Sequence, residues 1–296
     1  MAVYKAYAEK EQPVDFIYVQ GFSGWEIIRQ KKKGQVFPPV AVHFHGLEMF
    51  QKPAGLRSRL EQVLMKKPVL ENLRAADYAF SLGGRLTGIL KEQGIAAEKI
   101  LGIPLGIDKE WIGKNITTRE NKKTRFVFVG RYERRKALPE LNAAISALAG
   151  TGGFEFHFIG PIPPEVQLQL PEVKYHGSIS DPLKVKEIIH SCDVLVCASY
   201  SEGMPNVIVE AMAGGLAVIA TDVGAISVLV SERTGRLIPD AAPATIEKAL
   251  KEFIGMDPAL LEQKKENART LIENQFTWDR IIQQTLQTIS GITGRS

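Results

Sequence analysis

Cysteine is scarce in this chain. Its 296 residues include only two, Cys192 and Cys197. Five positions apart on an extended segment, they point to opposite faces and cannot easily bridge. So little cysteine excludes a disulfide framework and fits a reducing cytoplasm. No Cys/His cluster has zinc spacing, so no metal site is expected. No apolar run reaches the length that crosses a bilayer. Residues 1–12 (MAVYKAYAEKEQ) lack the apolar core of a secretory signal. Net charge is also low, at +4. The excess lies in residues 1–113, which hold 16 Lys+Arg against 12 Asp+Glu, while the remainder holds 21 of each. A solvated face accounts for this simply. The sharper reading is a peripheral attraction to an anionic membrane inner face or to a phosphate-bearing acceptor. No aromatic–basic interleaving accompanies the charge, so nucleic acid is not an expected partner.

What the chain does have is alternation. Short apolar strands are expected at 16–19, 40–44, 78–82 and 100–104, with helical pieces over 2–12, 24–30, from Leu56 onward, 70–76 and 86–93. After a polar stretch, strands recur at 125–129, 154–159, 173–176, 194–198, 216–220 and 235–239. Helices are expected at 139–149, 182–190, 245–255, 258–273 and 278–290. Strands alternating with helices imply parallel sheets with right-handed crossovers. The division expected is a partial first Rossmann-like domain over 1–110, a linker over 111–123, a second Rossmann-like domain over 124–275 and a closing helix in 276–296 that packs back toward the first domain. Glycines and polar residues gather where strands end: Gly21, His45-Gly46, Gly83-Gly84, Gly106, Gly130-Arg131, Gly160, Gly177 and Ser199–Gly203. Open parallel sheets bind ligands there.

The stretch Ser199–Gly215 (SYSEGMPNVIVEAMAGG) is the most informative. It leaves a strand, turns at Glu202-Gly203, passes Pro205 and enters a short apolar helix. A helix N-terminus offers unpaired N–H groups and a positive dipole end to an anion. Glu202 and Glu210 would repel that anion unless they face hydroxyl groups, since a carboxylate only accepts hydrogen bonds. A ligand with phosphate at one end and sugar hydroxyls at the other satisfies both. Two solvated acids at an ordinary strand–turn–helix joint would read the same way.

Three segments together resemble the family 4 glycosyltransferases of the GT-B fold: GRYERRK (130–136), the Ser199–Gly215 stretch continued by LAVIATDVGA, and VAVHFHGLE (40–48) followed by RAADYAFS and IPLGID. The resemblance implies two Rossmann-like parallel-sheet domains facing a cleft. It implies transfer of a sugar from a nucleotide diphosphate sugar, of UDP or GDP type, to a saccharide, lipid-linked or small-molecule acceptor with retention of configuration. No cofactor or metal is implied, and no D-x-D triplet stands at a strand end. Arg131 and Lys136, beside Gly130, would contact the pyrophosphate. Glu202 would hold the transferred sugar and Glu210 the ribose. Gly203, Met204, Asn206 and Val207 would offer backbone N–H groups, with Pro205 in the first turn. Gly160 and Gly177 would leave room for the base, and His45 would stand beside the reacting carbon. His43 is expected to be structural.

The chain departs from the family at its start. DFIYVQG (15–21) matches the middle of the family's first domain, so that domain is expected to be truncated, with 16–19 as an open sheet edge. An open edge invites pairing with a second copy. The alternative function is then a non-catalytic or partner-dependent sugar-nucleotide-binding protein.

Overall fold

The computed structural model describes residues 4, 5, 7, 9, 13–113 and 123–294. Most of the helix expected over 2–12, and positions 114–122 of the expected linker, lie outside the described residues.

Two parallel sheets form, one in each part of the chain. The first has the order β1-β2-β3-β4, with β1 Ile17–Gln20, β2 Val40–His43, β3 Tyr78–Ser81 and β4 Ile100–Gly102. The second has the order β10-β9-β8-β5-β6-β7. Its strands are β5 Thr124–Val129, β6 Phe154–Ile159, β7 Val173–Tyr175, β8 Val194–Cys197, β9 Ala217–Thr221 and β10 Gly235–Ile238. The strand order reverses between β5 and β8, and a crevice opens at such a switch point.

Helices cross between the strands: α1 Trp25–Lys32, α2 Leu56–Ala75, α3 Gly84–Glu92, α4 Leu138–Ser146, α5 Pro182–His190, α6 Asn206–Ala213, α7 Pro243–Ile254, α8 Pro258–Gln275 and α9 Trp278–Thr293. Their ends follow local chemistry. Asp181 accepts from the Leu183 N–H to cap α5, with Pro182 in the first turn; Asp257 does the same for α8 with Pro258.

The second sheet is sealed on both faces. Phe126, Phe128, Phe154, Phe156 and Phe158 pack on one side with α4 and α7, while Val127, Leu195 and Val218 meet α6 and α8 on the other. The near-continuous apolar runs of these strands are what a doubly covered parallel sheet requires. The first sheet is thinner. Strand β1 buries Ile17 and Val19 but exposes Tyr18 and Gln20. It pairs only with β2 among the described residues, so it is the sheet edge. Helix α9 returns to this sheet: Ile281 packs with Ala41, Phe80 and Ile103, and Gln284 donates to the Gly102 carbonyl at 3.0 Å.

One element differs from expectation. The two helical pieces expected around Leu56 and Leu70 are one helix, α2, with Pro68 inside it. Proline removes one N–H from the ladder. Helical bonding resumes beyond it, and the Asn72 side chain adds a bond to the Pro68 carbonyl at 3.1 Å.

Candidate active site

A cavity of about 690 Å³ opens between the carboxyl ends of the two sheets. The loop after β2 brings His45, Gly46 and Glu48 to one wall. Lys136, from the turn after β5, and Glu202–Val207, from the turn after β8, form the other wall together with Glu210 on α6. Leu105–Asp108, Trp111 and Trp278 close one end.

Glu202 is the electrostatic centre. Its side chain is nearly buried, and each oxygen meets a cation: Oε1 accepts from Lys136 Nζ at 2.6 Å and Oε2 lies 2.7 Å from Arg135 Nη1. Burial opposes the charge on Arg135, but Glu202 outweighs it and the guanidinium pKa is raised. Arg135 Nη2 also lies 3.3 Å from Glu133, so the two cations are shared between two carboxylates. Arg135 also donates to the Ser201 carbonyl at 3.1 Å.

Glu210 is different. No hydrogen bond or ion pair reaches its carboxylate among the described residues, and burial raises its pKa. A partly buried acceptor with no partner is set for hydroxyl donors.

The two walls touch. The Gln51 amide accepts from the Glu202 N–H at 3.3 Å and donates to the Glu202 carbonyl at 2.6 Å and the Gly46 carbonyl at 2.5 Å. It thus ties the His45 turn to the Glu202 turn. Gly203 has to be glycine, because a Cβ there would overlap the His45 carbonyl oxygen. Two non-glycine residues adopt left-handed backbone among the described residues, Leu47 (φ 50°) and Ala137 (φ 51°). Each directly follows a turn that serves the cavity, and both are fully buried, so packing holds the strained conformations.

Behind His45 sits His43, buried, with Nδ1 2.6 Å from the Tyr18 hydroxyl. Burial, then the neighbouring His45, pushes its pKa down to about 4. The two rings lie 4.3 Å apart between centroids. His43 therefore buttresses His45 as a neutral ring.

The structure brings His45, Lys136, Glu202, Gly203, Met204, Pro205, Asn206, Val207 and Glu210 to one cavity. Four other expected residues, Gly130, Arg131, Gly160 and Gly177, do not line it. Arg131 stands at the surface with Nη2 2.8 Å from Glu133. Gly160 and Gly177 share a backbone bond of 2.9 Å beyond β6 and β7. A Cβ at Gly160 would overlap the Gly130 carbonyl oxygen, so strand-end packing explains that glycine and Gly130 serves as its neighbour. Gln51 and Arg135 were not expected. The run Arg134-Arg135-Lys136 signalled cations without saying which would turn inward, and Arg134 turns outward to Glu140 at 2.6 Å. No pattern in the sequence marks Gln51.

Residues 123–255 match the family described as glycosyl transferases group 1. Over 257 residues the chain is 30% identical to the protein named teichuronic acid biosynthesis glycosyltransferase TuaC of Bacillus subtilis (strain 168), covering 77% of this chain and 64% of that one. It is 26% identical to the protein named colanic acid biosynthesis glycosyltransferase WcaL of Salmonella typhimurium, covering 93% of this chain and 70% of that one. The chain thus spans about two thirds of the length of these relatives. Among solved structures, a sucrose-phosphate synthase from Thermosynechococcus elongatus superimposes with a TM-score of 0.78 at 22% identity over 100% of this chain and 77% of that one. Anabaena Alr3699/HepE, solved with UDP and glucose, gives 0.75 at 18% identity over 98% and 80%. Residues 123–255 thus carry the group 1 glycosyltransferase family, and the two facing parallel sheets share the GT-B fold of these glycosyltransferase structures.

Proposed function

We propose that the cavity binds a nucleotide diphosphate sugar and that the protein transfers the sugar to an acceptor hydroxyl with retention of configuration. The carrying observation is Glu202 held between Lys136 and Arg135 at the switch point, with Glu210 unpartnered beside it. The diphosphate competes with Glu202 for the two cations and for the N-terminus of α6. Glu202, released in part, accepts hydrogen bonds from the sugar, and Glu210 accepts them from the ribose. Arg131 swings from Glu133 to the diphosphate, a short rearrangement for an exposed side chain. The donor's sugar–phosphate oxygen bond breaks and a bond to the acceptor oxygen forms. The acceptor proton leaves with the departing diphosphate, whose growing charge Lys136 and Arg135 stabilise. His45 stands on the opposite wall, where it can contact the sugar near its reacting carbon. The UDP bound by the Anabaena structure supports a uridine donor here.

Isothermal titration with UDP, GDP and ADP tests the donor site. Binding of one diphosphate at micromolar strength, lost in Lys136→Ala, is expected; no binding of any would sink the assignment. The open edge at β1 favours a second reading, a donor-binding protein that turns over only with a partner or as a homodimer. Donor binding without transfer or hydrolysis by the isolated chain, together with mass doubling at high concentration in light scattering, would favour it.

A further inference from the structure

We propose that the first three turns of α2 form a docking surface for an anionic lipid bilayer. Leu56, Leu60, Val63 and Leu64 are 82%, 69%, 64% and 75% exposed. At 100° per residue they fall in one arc of about 100°. Core-forming helices point such an arc inward. Here the inward side carries Val69, Asn72 and Leu73, all beyond Pro68. The helix has two halves: the last part packs on the first sheet, and the first part lies against the Glu48–Phe50 turn through Gln62 and leaves its apolar arc to solvent.

The flanks of the arc are basic. Arg59 and Lys66 lie along one side, Arg57 along the other, and Lys67 falls within it a turn later. Three acids are near: Glu61 pairs with Arg57 at 3.0 Å, Glu71 pairs with Lys32 at 3.5 Å, and Glu48 lies on the Gln62 side of the helix, away from the arc and toward Arg135. An apolar stripe with cationic margins matches an interface where acyl chains meet anionic headgroups. No helix among the described residues is long and apolar enough to cross a membrane.

A second copy fits poorly. Four aliphatic side chains fall short of the roughly 800 Å² per partner of a stable interface. Two-fold pairing of this face would also bring two margins of like charge together. A second exposed row, Trp278, Ile282 and Leu286 on α9, lacks such margins: Arg280 is adjacent, but so is Asp279, paired with Lys109 at 2.5 Å.

The surface is coupled to the cavity. Gln62 on α2 donates to the Glu48 carbonyl at 2.9 Å and to the Gln51 carbonyl at 3.2 Å. A bilayer seated on α2 therefore holds the acceptor side of the cleft near the headgroups.

The test is co-sedimentation of the full chain with vesicles of phosphatidylcholine alone and of phosphatidylcholine mixed with phosphatidylglycerol. Sedimentation with the mixed vesicles only, weakened by salt, is expected. Replacing Leu60 and Leu64 together by serine should cut the partition coefficient about tenfold or more. Arg59→Gln should cut it roughly fivefold. Diphosphate binding and the melting temperature of these variants should stay unchanged, which separates this surface from the donor site. Sedimentation with neither vesicle, or equally with both, would overturn the proposal. So would a concentration-dependent mass abolished by the leucine variant, which would assign the face to a second copy.

Discussion

The two sheets meet at one cleft but are built differently. The second has six strands with five phenylalanines packed on one face, and its strand-end turns hold their charged residues in closed ion pairs. The first has four strands of three or four residues, an exposed edge and a helix whose leading half leaves its apolar arc to solvent. The thick side carries charge that must be positioned accurately. The thin side contributes a turn, His45–Gln51, that is positioned by contact with the other wall. A buried ion pair repays its desolvation only with accurate geometry, whereas no ion pair among the described residues ties down the His45–Gln51 turn.

Four measurements probe that contrast. The largest effect is expected from Phe156→Ala, which empties the centre of the phenylalanine cluster and should cost about 3–5 kcal/mol in urea unfolding. Leu60→Ala on the exposed arc of α2 should stay within about 0.5 kcal/mol. Similar losses at both would erase the distinction. Next, Glu202→Ala should lower kcat/KM by about 10²–10³, since it removes the proposed sugar contact and leaves Lys136 without its carboxylate. Circular dichroism should show the fold retained.

His43 tests the thin side through pH. Its folded pKa of about 4 lies below the ordinary 6.5, so the native state resists protonation. Its contribution is complete above about pH 6.5 and is lost as pH falls toward 4. The difference amounts to roughly 3 kcal/mol at most. His43→Gln should flatten that part of the stability profile, and an unchanged acid limb would remove His43 from the account. The smallest effect is expected at the latch between the walls. Gln51→Ala should lower kcat/KM about tenfold through KM for the donor, because the Glu202 turn loses two hydrogen bonds of neutral type and the Gly46 turn one. Gln51→Asn, one methylene shorter, should restore little.

Much of this was legible in the sequence. The alternation of strand and helix, the parallel sheets and the Ser199–Gly215 joint follow from local pattern, because each needs only neighbours along the chain. The edge at β1 was also expected, although its alternating burial was not. Phe16 to Val19 is an unbroken apolar run, but with α1 packed on only one face Tyr18 is left exposed. The continuity of α2 through Pro68 was missed, because a proline signals a break while the helix bonds around it.

The sequence by itself determined which residue types stand at which strand ends, and so that cations and carboxylates share one crevice. Only the tertiary structure decided which cation faces Glu202. Arg131, Arg134 and Arg135 are chemically alike and lie within five positions. The turn before Ala137 sends one to Glu133, one to Glu140 and one inward. It also decided that Gln51 joins the walls, since that contact spans 151 positions. Local sequence fixes what a residue can do; the packing of distant turns fixes what it meets.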